Sequence, residues 1–221
     1  MTLTFFHTAP ANEALFEALI RELAPGIPTR HVVEPQHLEQ SVAAGQVTPE
    51  IDAGVRQSLL AAIGPETGLL VCTCSTIGGC ADRTTHARVP ITRIDRAMAE
   101  QAVAAGRRIL IAACVPSTLA PTRELVEDAA ARAGRQVNLD VQLMREPWDL
   151  FLQGDKPGYW AAIAARLREC AADYDAIVLA QASMAGAAPL LADLPVPVLA
   201  SPRIGVEAAI AAYLAAVSNA G

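Results

Sequence analysis

The stretch Gly68-Leu69-Leu70-Val71-Cys72-Thr73-Cys74-Ser75-Thr76-Ile77-Gly78-Gly79-Cys80 decides the fold class. Its first half carries the unbroken apolar run Leu69-Leu70-Val71, the pattern of a strand buried on both faces of a parallel sheet. Ser75, Thr76, Gly78 and Gly79 then mark a turn that hands the chain to a helix. Ile109-Leu110-Ile111 is a second unbroken run of the same kind. Working outward, short apolar runs bounded by turn signals alternate with amphipathic stretches, as in a parallel sheet covered by helices. This reading predicts strands over 3–7, 29–33, 68–74, 89–94, 108–114, 137–143, 176–181 and 196–200. It predicts helices over 12–23, 49–63, 95–105, 117–133, 157–172 and 204–217. Thr48-Pro49-Glu50 is a good helix start, with Thr as N-cap and Pro at the first helical position, and the same logic runs from Thr118 to Glu124.

The order of elements looks duplicated. The third strand of the first half ends in Cys74-Ser75-Thr76, and that of the second half in Gln181-Ala182-Ser183. The first strands end in His7-Thr8-Ala9-Pro10 and Cys114-Val115-Pro116-Ser117. The expected architecture is α/β, with two pseudo-symmetric lobes, each a mainly four-stranded parallel sheet flanked by helices. Residues 1–94 plus 202–221 would form the first lobe and 95–201 the second. Strand C-termini would then face each other across a cleft, where open α/β sheets bind ligands. Ser201-Pro202-Arg203 reads as the crossover that returns the last helix to the first lobe.

Composition narrows the classes. The chain has 221 residues, 52% of them hydrophobic and only 4% aromatic, so its core rests on Ala, Leu, Val and Ile, and a disordered chain is excluded. A net charge of -6 and the lack of any Lys/Arg block argue against a nucleic-acid partner. No apolar run reaches the roughly 18 residues of a membrane span. The start, Met1 to His7, lacks the basic flank and long apolar stretch of a signal peptide. No membrane partner and a cytoplasmic location are therefore expected. Five cysteines, two of them one residue apart, suit free thiols better than a disulfide framework.

Several side chains have the chemistry for a site. Cys72 and Cys74 share a strand face, with Cys74 at its C-terminal end. A thiol there sits near a helix N-terminus, which favours the thiolate, and Ser75 and Thr76 with their turn N–H groups suit an anion. The alternative is a buried structural cysteine before a helix cap. Cys72-x-Cys74 with Cys80 lacks the paired spacing of a zinc site. Gln181 ends an apolar strand, and its amide needs partners on its donor and acceptor sides: it either binds substrate or ties neighbouring loops. Ser117, Thr118 and Thr122 are either substrate ligands or capping residues. His7 ends the first strand as a general acid or base, or as a structural residue. His31, His37 and His86 show no partner pattern and read as surface or structural. Asp95 reads as an N-cap, Arg93 as a solvated strand-edge residue or else a counter-charge for substrate, and Trp148 and Trp160 as packing of the second lobe or a dimer face. No dinucleotide fingerprint, Walker loop or GxSxG elbow occurs.

On the residues 70–79, 108–122 and 175–189, the chain resembles the aspartate/glutamate/hydantoin racemase superfamily. That resemblance implies a cysteine on each of two α/β lobes, one removing an α-proton from a small carboxylate and the other returning one, with no pyridoxal phosphate and no metal. Cys74-Ser75-Thr76 is similar to the family's first Cys-Asn-Thr element. Leu179-Ala180-Gln181-Ala182-Ser183-Met184 is similar to the second, which in hydantoin racemases reads L-G-C-A-G-M. The second cysteine is thus replaced by Gln181, and His7 is the nearest substitute for its acid/base role. The implied catalytic set is Cys74, His7 and Gln181. The implied substrate ligands are Thr8, Ser75, Thr76, Ser117, Thr118, Ser183 and Met184. A cofactor-independent isomerase on a small amino-acid-like or other carboxylate is expected, as a homo-oligomer, most simply a dimer. A single-cysteine lyase or decarboxylase, a cis-trans isomerase and a catalytically silent carboxylate-binding protein are the alternatives.

Overall fold

The structure, a computed structural model, describes residues 1–218. Residues 219–221, which the sequence reading assigned to the first lobe, lie outside the described residues. The chain forms two compact units, one built from Met1–Asp95 with the chain from Pro202 onward, the other from Arg96–Ser201.

The first unit runs β1 (Thr2–His7), α1 (Pro10–Leu23), β2 (Thr29–Val33), α2 (Gln36–Ala44), α3 (Pro49–Ala61), β3 (Thr67–Cys72), α4 (Gly78–Asp82) and β4 (Ile91–Arg93). Its sheet is parallel, in the order β2-β1-β3-β4. All of β3 is buried, as its unbroken apolar run requires. Period-2 alternation divides the core between the two faces of the sheet. Leu3, Phe5, Leu69 and Val71 pack with Phe16 and Ile20 of α1, while Phe6, Leu70 and Cys72 pack with Val55 and Leu59 of α3.

The second unit runs α5 (Arg96–Ala105), β5 (Arg108–Ala113), α6 (Leu119–Arg132), β6 (Asn138–Leu143), α7 (Glu146–Leu152), α8 (Lys156–Arg168), β7 (Ala176–Leu179) and β8 (Val198–Ala200). Its parallel order β6-β5-β7-β8 repeats the second-first-third-fourth arrangement of the first sheet. Ile109, Ile111 and Val178 face Met98, Val103, Leu125 and Val126, whereas Leu110, Ile177 and Leu179 face Tyr159, Ile163 and Leu167. The last helix, α9 (Ser201–Ser218), brings Val206, Ala209 and Tyr213 into the first unit's core, and the Tyr213 hydroxyl donates to Met1 O at 2.6 Å.

Among the described residues the eight strands fall on the eight predicted segments: β2 matches its segment, β1 and β3 begin one residue earlier, and the others are shorter at one or both ends. β3 stops at Cys72 and β7 at Leu179, two residues before expectation. Beyond them the backbone leaves the ladder, so Cys74 and Gln181 belong to turns. Three helices escaped the sequence reading: α2, α4 and α7, all of nine residues or fewer. α2 ends at Gly45, whose φ of 71° only glycine adopts without strain. Thr48 caps α3 as expected, accepting from Ile51 N at 3.3 Å. Thr118 does not cap α6: a 3-10 turn over Pro116–Thr118 precedes the helix, and the hydroxyl donates back to Val115 O at 2.8 Å.

Candidate functional site

In the first unit, β1 and β3 are neighbours in a register that pairs Phe6 with Cys72. The residues that follow each strand therefore emerge together at the sheet's C-terminal edge. This brings His7, Thr8, Cys74, Ser75 and Thr76 to one place, with Thr73 N bonded to Phe6 O at 2.9 Å. Cys74 is 9% exposed, against 0% for Cys72 and 1% for Cys80. Burial pushes the Cys72 thiol well up and the Cys80 thiol up to about 12, so both are inert fillers. Thr76 has a buried hydroxyl with no hydrogen-bond partner. A buried polar group left unpaired is costly, and a bound anion would satisfy this one.

Two networks brace this turn. Arg93, read from sequence as a solvated strand-edge residue, is instead 4% exposed. Its Nε and Nη2 donate to the two oxygens of Asp95 at 2.6 and 3.0 Å, and Nη1 to Asp82 at 3.2 Å. Asp95, the residue before α5, is the buried ion-pair partner of Arg93. Burial alone would raise its pKa, but the Arg93 guanidinium outweighs that, and the Ser75 side chain adds a hydrogen bond, so the carboxyl is held below its usual range. The Ser75 hydroxyl is thereby engaged inside the turn. A side chain at Gly78 would collide with the Arg93 guanidinium.

The second network corrects the reading of His7. The ring is fully buried, with Nδ1 2.8 Å from Thr73 Oγ1 and Nε2 2.8 Å from His31 Nδ1. Thr73 Oγ1 also donates to Phe6 O at 3.1 Å, so it accepts from His7 Nδ1–H. His7 Nε2 then accepts from His31, and Glu17 Oε2 lies 3.2 Å from His31 Nε2. Burial, reinforced by the neighbouring His31, pushes the His7 pKa down to about 3. With both nitrogens engaged, His7 is a structural residue and not the substitute base. His31, read as surface or structural, is its partner; His37, read the same way, pairs with Glu34 and Ser58, at 3.0 and 2.9 Å.

In the second unit, β5 and β7 are neighbours, Ala112 opposite Leu179, and their ends bring Ser117, Thr118, Gln181, Ser183 and Met184 to the equivalent edge. Gln181 Oε1 accepts from Cys114 N at 2.6 Å and Val115 N at 2.9 Å. Ser183 lies 3.2 Å from the Tyr159 hydroxyl, and its carbonyl accepts from Trp160 Nε1 at 2.8 Å. Met184 is fully buried among Tyr159, Ile163 and Leu179, which corrects its reading as a substrate ligand. The hydroxyls of Ser117 and Thr122 are enclosed without partners. Burial pushes the Cys114 thiol up to about 11. The brace residues Thr73, His31 and Glu17 were missed because each partner lies on a separate element. Among the described residues, no group of three or more His, Cys, Asp or Glu side chains could hold a metal ion. No described helix is long and apolar enough to cross a membrane.

Comparison with known proteins decides the family. Residues 8–209 match the Asp/Glu/Hydantoin racemase family. The chain belongs to that family. A search of curated proteins finds no sequence match. Among solved structures, the Picrophilus torridus aspartate racemase superposes with a TM-score of 0.71 at 13% identity, over 96% of this chain and 94% of that one. A glutamate racemase from Thermus thermophilus gives 0.61 at 17%, over 97% and 80%. The allantoin racemase from Pseudomonas fluorescens gives 0.58 at 19%, over 96% and 90%. At these identities the likeness establishes the racemase-type fold of two four-stranded parallel sheets flanked by helices.

Proposed function

We propose that this member of the racemase family is a cofactor-independent enzyme that moves the α-proton of a small carboxylate, amino-acid-like or otherwise, through Cys74. The observation that carries this reading is the turn after β3. It holds the thiol with the greatest exposure in the first unit's core beside a buried Thr76 hydroxyl that lacks an internal partner. The thiolate takes the α-proton, forming an S–H bond, and the C–H electron pair passes into the carboxylate as an enediolate. Turn N–H groups and the Thr76 hydroxyl stabilise that charge, which is where preorganised donors act most strongly. The thiol exchanges its proton with solvent and returns one to the carbon, breaking the S–H bond, forming the C–H bond and restoring the thiolate. A positioned proton-transfer group contributes about 10² to 10⁴ in rate.

The relatives' names supply the first panel, single enantiomers of aspartate and glutamate, followed by other small amino and hydroxy acids. The protein is dialysed against chelator and incubated in D₂O without pyridoxal phosphate, and the α-proton signal is followed by NMR. The expected result is loss of that signal for at least one compound. No exchange with any compound, or exchange only after a cofactor is added, contradicts the proposal.

A further inference from the structure

We infer that Gln181 is an anchored hydrogen-bond donor for a carboxylate oxygen, occupying the position where the family pattern carries a second cysteine. The inference deepens the reading of the chain as an enzyme of small carboxylates. An amide nitrogen cannot accept a hydrogen bond, so the group that takes both Cys114 N–H and Val115 N–H, at 2.6 and 2.9 Å, must be the carbonyl oxygen. The two bonds fix the amide in one orientation. The remaining group, Nε2, carries two N–H donors and has no partner among the described residues, although the residue is only 9% exposed.

The loop that clamps the oxygen also contains Ser117, whose enclosed hydroxyl has no partner either. Unpaired donors at the C-terminal edge of a parallel sheet are complementary to an anion with several acceptor oxygens. Gln181 cannot titrate, so the ligand it suits is one already charged, a carboxylate or the enediolate derived from it. Tying neighbouring loops and binding substrate are thus done by opposite ends of one side chain. The clamp holds the donor so that little side-chain freedom is lost on binding.

Gln181→Glu removes the donor and keeps the clamp while adding one negative charge, so the signals of the wild-type amide carry the positive evidence. Glutamate accepts the same two N–H bonds, so the clamp survives, but the donor is replaced by an acceptor. The side-chain N–H₂ signals of Gln181 in ¹⁵N-labelled protein are identified by their disappearance in that variant. Malonate is then titrated into wild type, with sodium chloride at matched ionic strength as control. The expected result is a saturable shift of both Gln181 signals with malonate alone. In Gln181→Glu, malonate affinity measured by calorimetry falls by at least about tenfold, through loss of one hydrogen bond to a charged oxygen together with like-charge repulsion. Signals that stay fixed throughout the titration, or a variant that binds malonate as tightly as wild type, overturn the inference. Because the readout is binding, a protein that exchanges no α-proton yet shifts these signals would contradict the enzymatic reading while sustaining this one.

Discussion

His7 shows how a single residue changes meaning with its surroundings. At the end of a strand in a presumed site, an imidazole invites an acid/base role. Enclosed between Thr73 and His31, it is held neutral, with its pKa lowered to about 3 from an ordinary value near 6.5. The unfolded chain therefore binds a proton at this residue that the folded chain refuses. Its contribution is fully present above about pH 6.5 and is lost as pH falls toward about 3, because unfolding takes up a proton in that window. His7→Gln should flatten the pH dependence of unfolding there by up to about 1.4 kcal/mol per pH unit, as read from urea melts at successive pH values. An unchanged acid limb would show that His7 titrates normally. Cys74 was legible in the sequence because a thiol beside Ser-Thr at the end of an apolar run is a local pattern. The role of His7 was not, since its partner stands 24 residues away on the neighbouring strand.

At the scale of elements, the turn from β3 into α4 depends on the buried Arg93 that ends β4. The guanidinium spans Asp95, Asp82 and the Ser75 carbonyl, and it lies where a side chain at Gly78 would have to go. Arg93→Leu leaves Asp95 buried and unpaired, so a loss of about 3–5 kcal/mol is expected in chemical denaturation. Gly78→Ala should cost about 1–3 kcal/mol by overpacking against the same group. If either variant is as stable as wild type, the brace is not what holds the turn. The inner strands β1, β3, β5 and β7 were legible because their apolar runs are buried on both faces, and the more exposed β2, β4, β6 and β8 through the turn signals that bound them. The helices α2, α4 and α7 were not legible because helices of nine residues or fewer carry too few periods to register, and the burial of Arg93 was not, because only the fold brings its partners around it.

At the scale of the molecule, the repeated strand order in the two sheets was visible as a repeated order of runs and turn signals, although residue identity had almost vanished. The return of α9 to the first unit requires a close approach: a side chain at Gly205 would strike the Ile94 carbonyl. Gly205→Ala should therefore push α9 from the end of β4, costing about 1–3 kcal/mol, and speed hydrogen exchange in β1 and β3 more than in β5 and β7. Equal protection in both sheets would contradict that assignment. The duplicated design also exposes its asymmetry, a thiol after β3 and a clamped amide after β7, so the account rests on Cys74 as the proton-transfer group. The most direct test compares α-deuterium incorporation in D₂O by wild type, Cys74→Ser and Cys72→Ser, using the compound that wild type exchanges fastest. The account predicts a fall of about 10² to 10⁴ in Cys74→Ser and a rate near that of wild type in Cys72→Ser, whose thiol is buried out of reach. Cys74→Ser protein that exchanges as fast as wild type would contradict it.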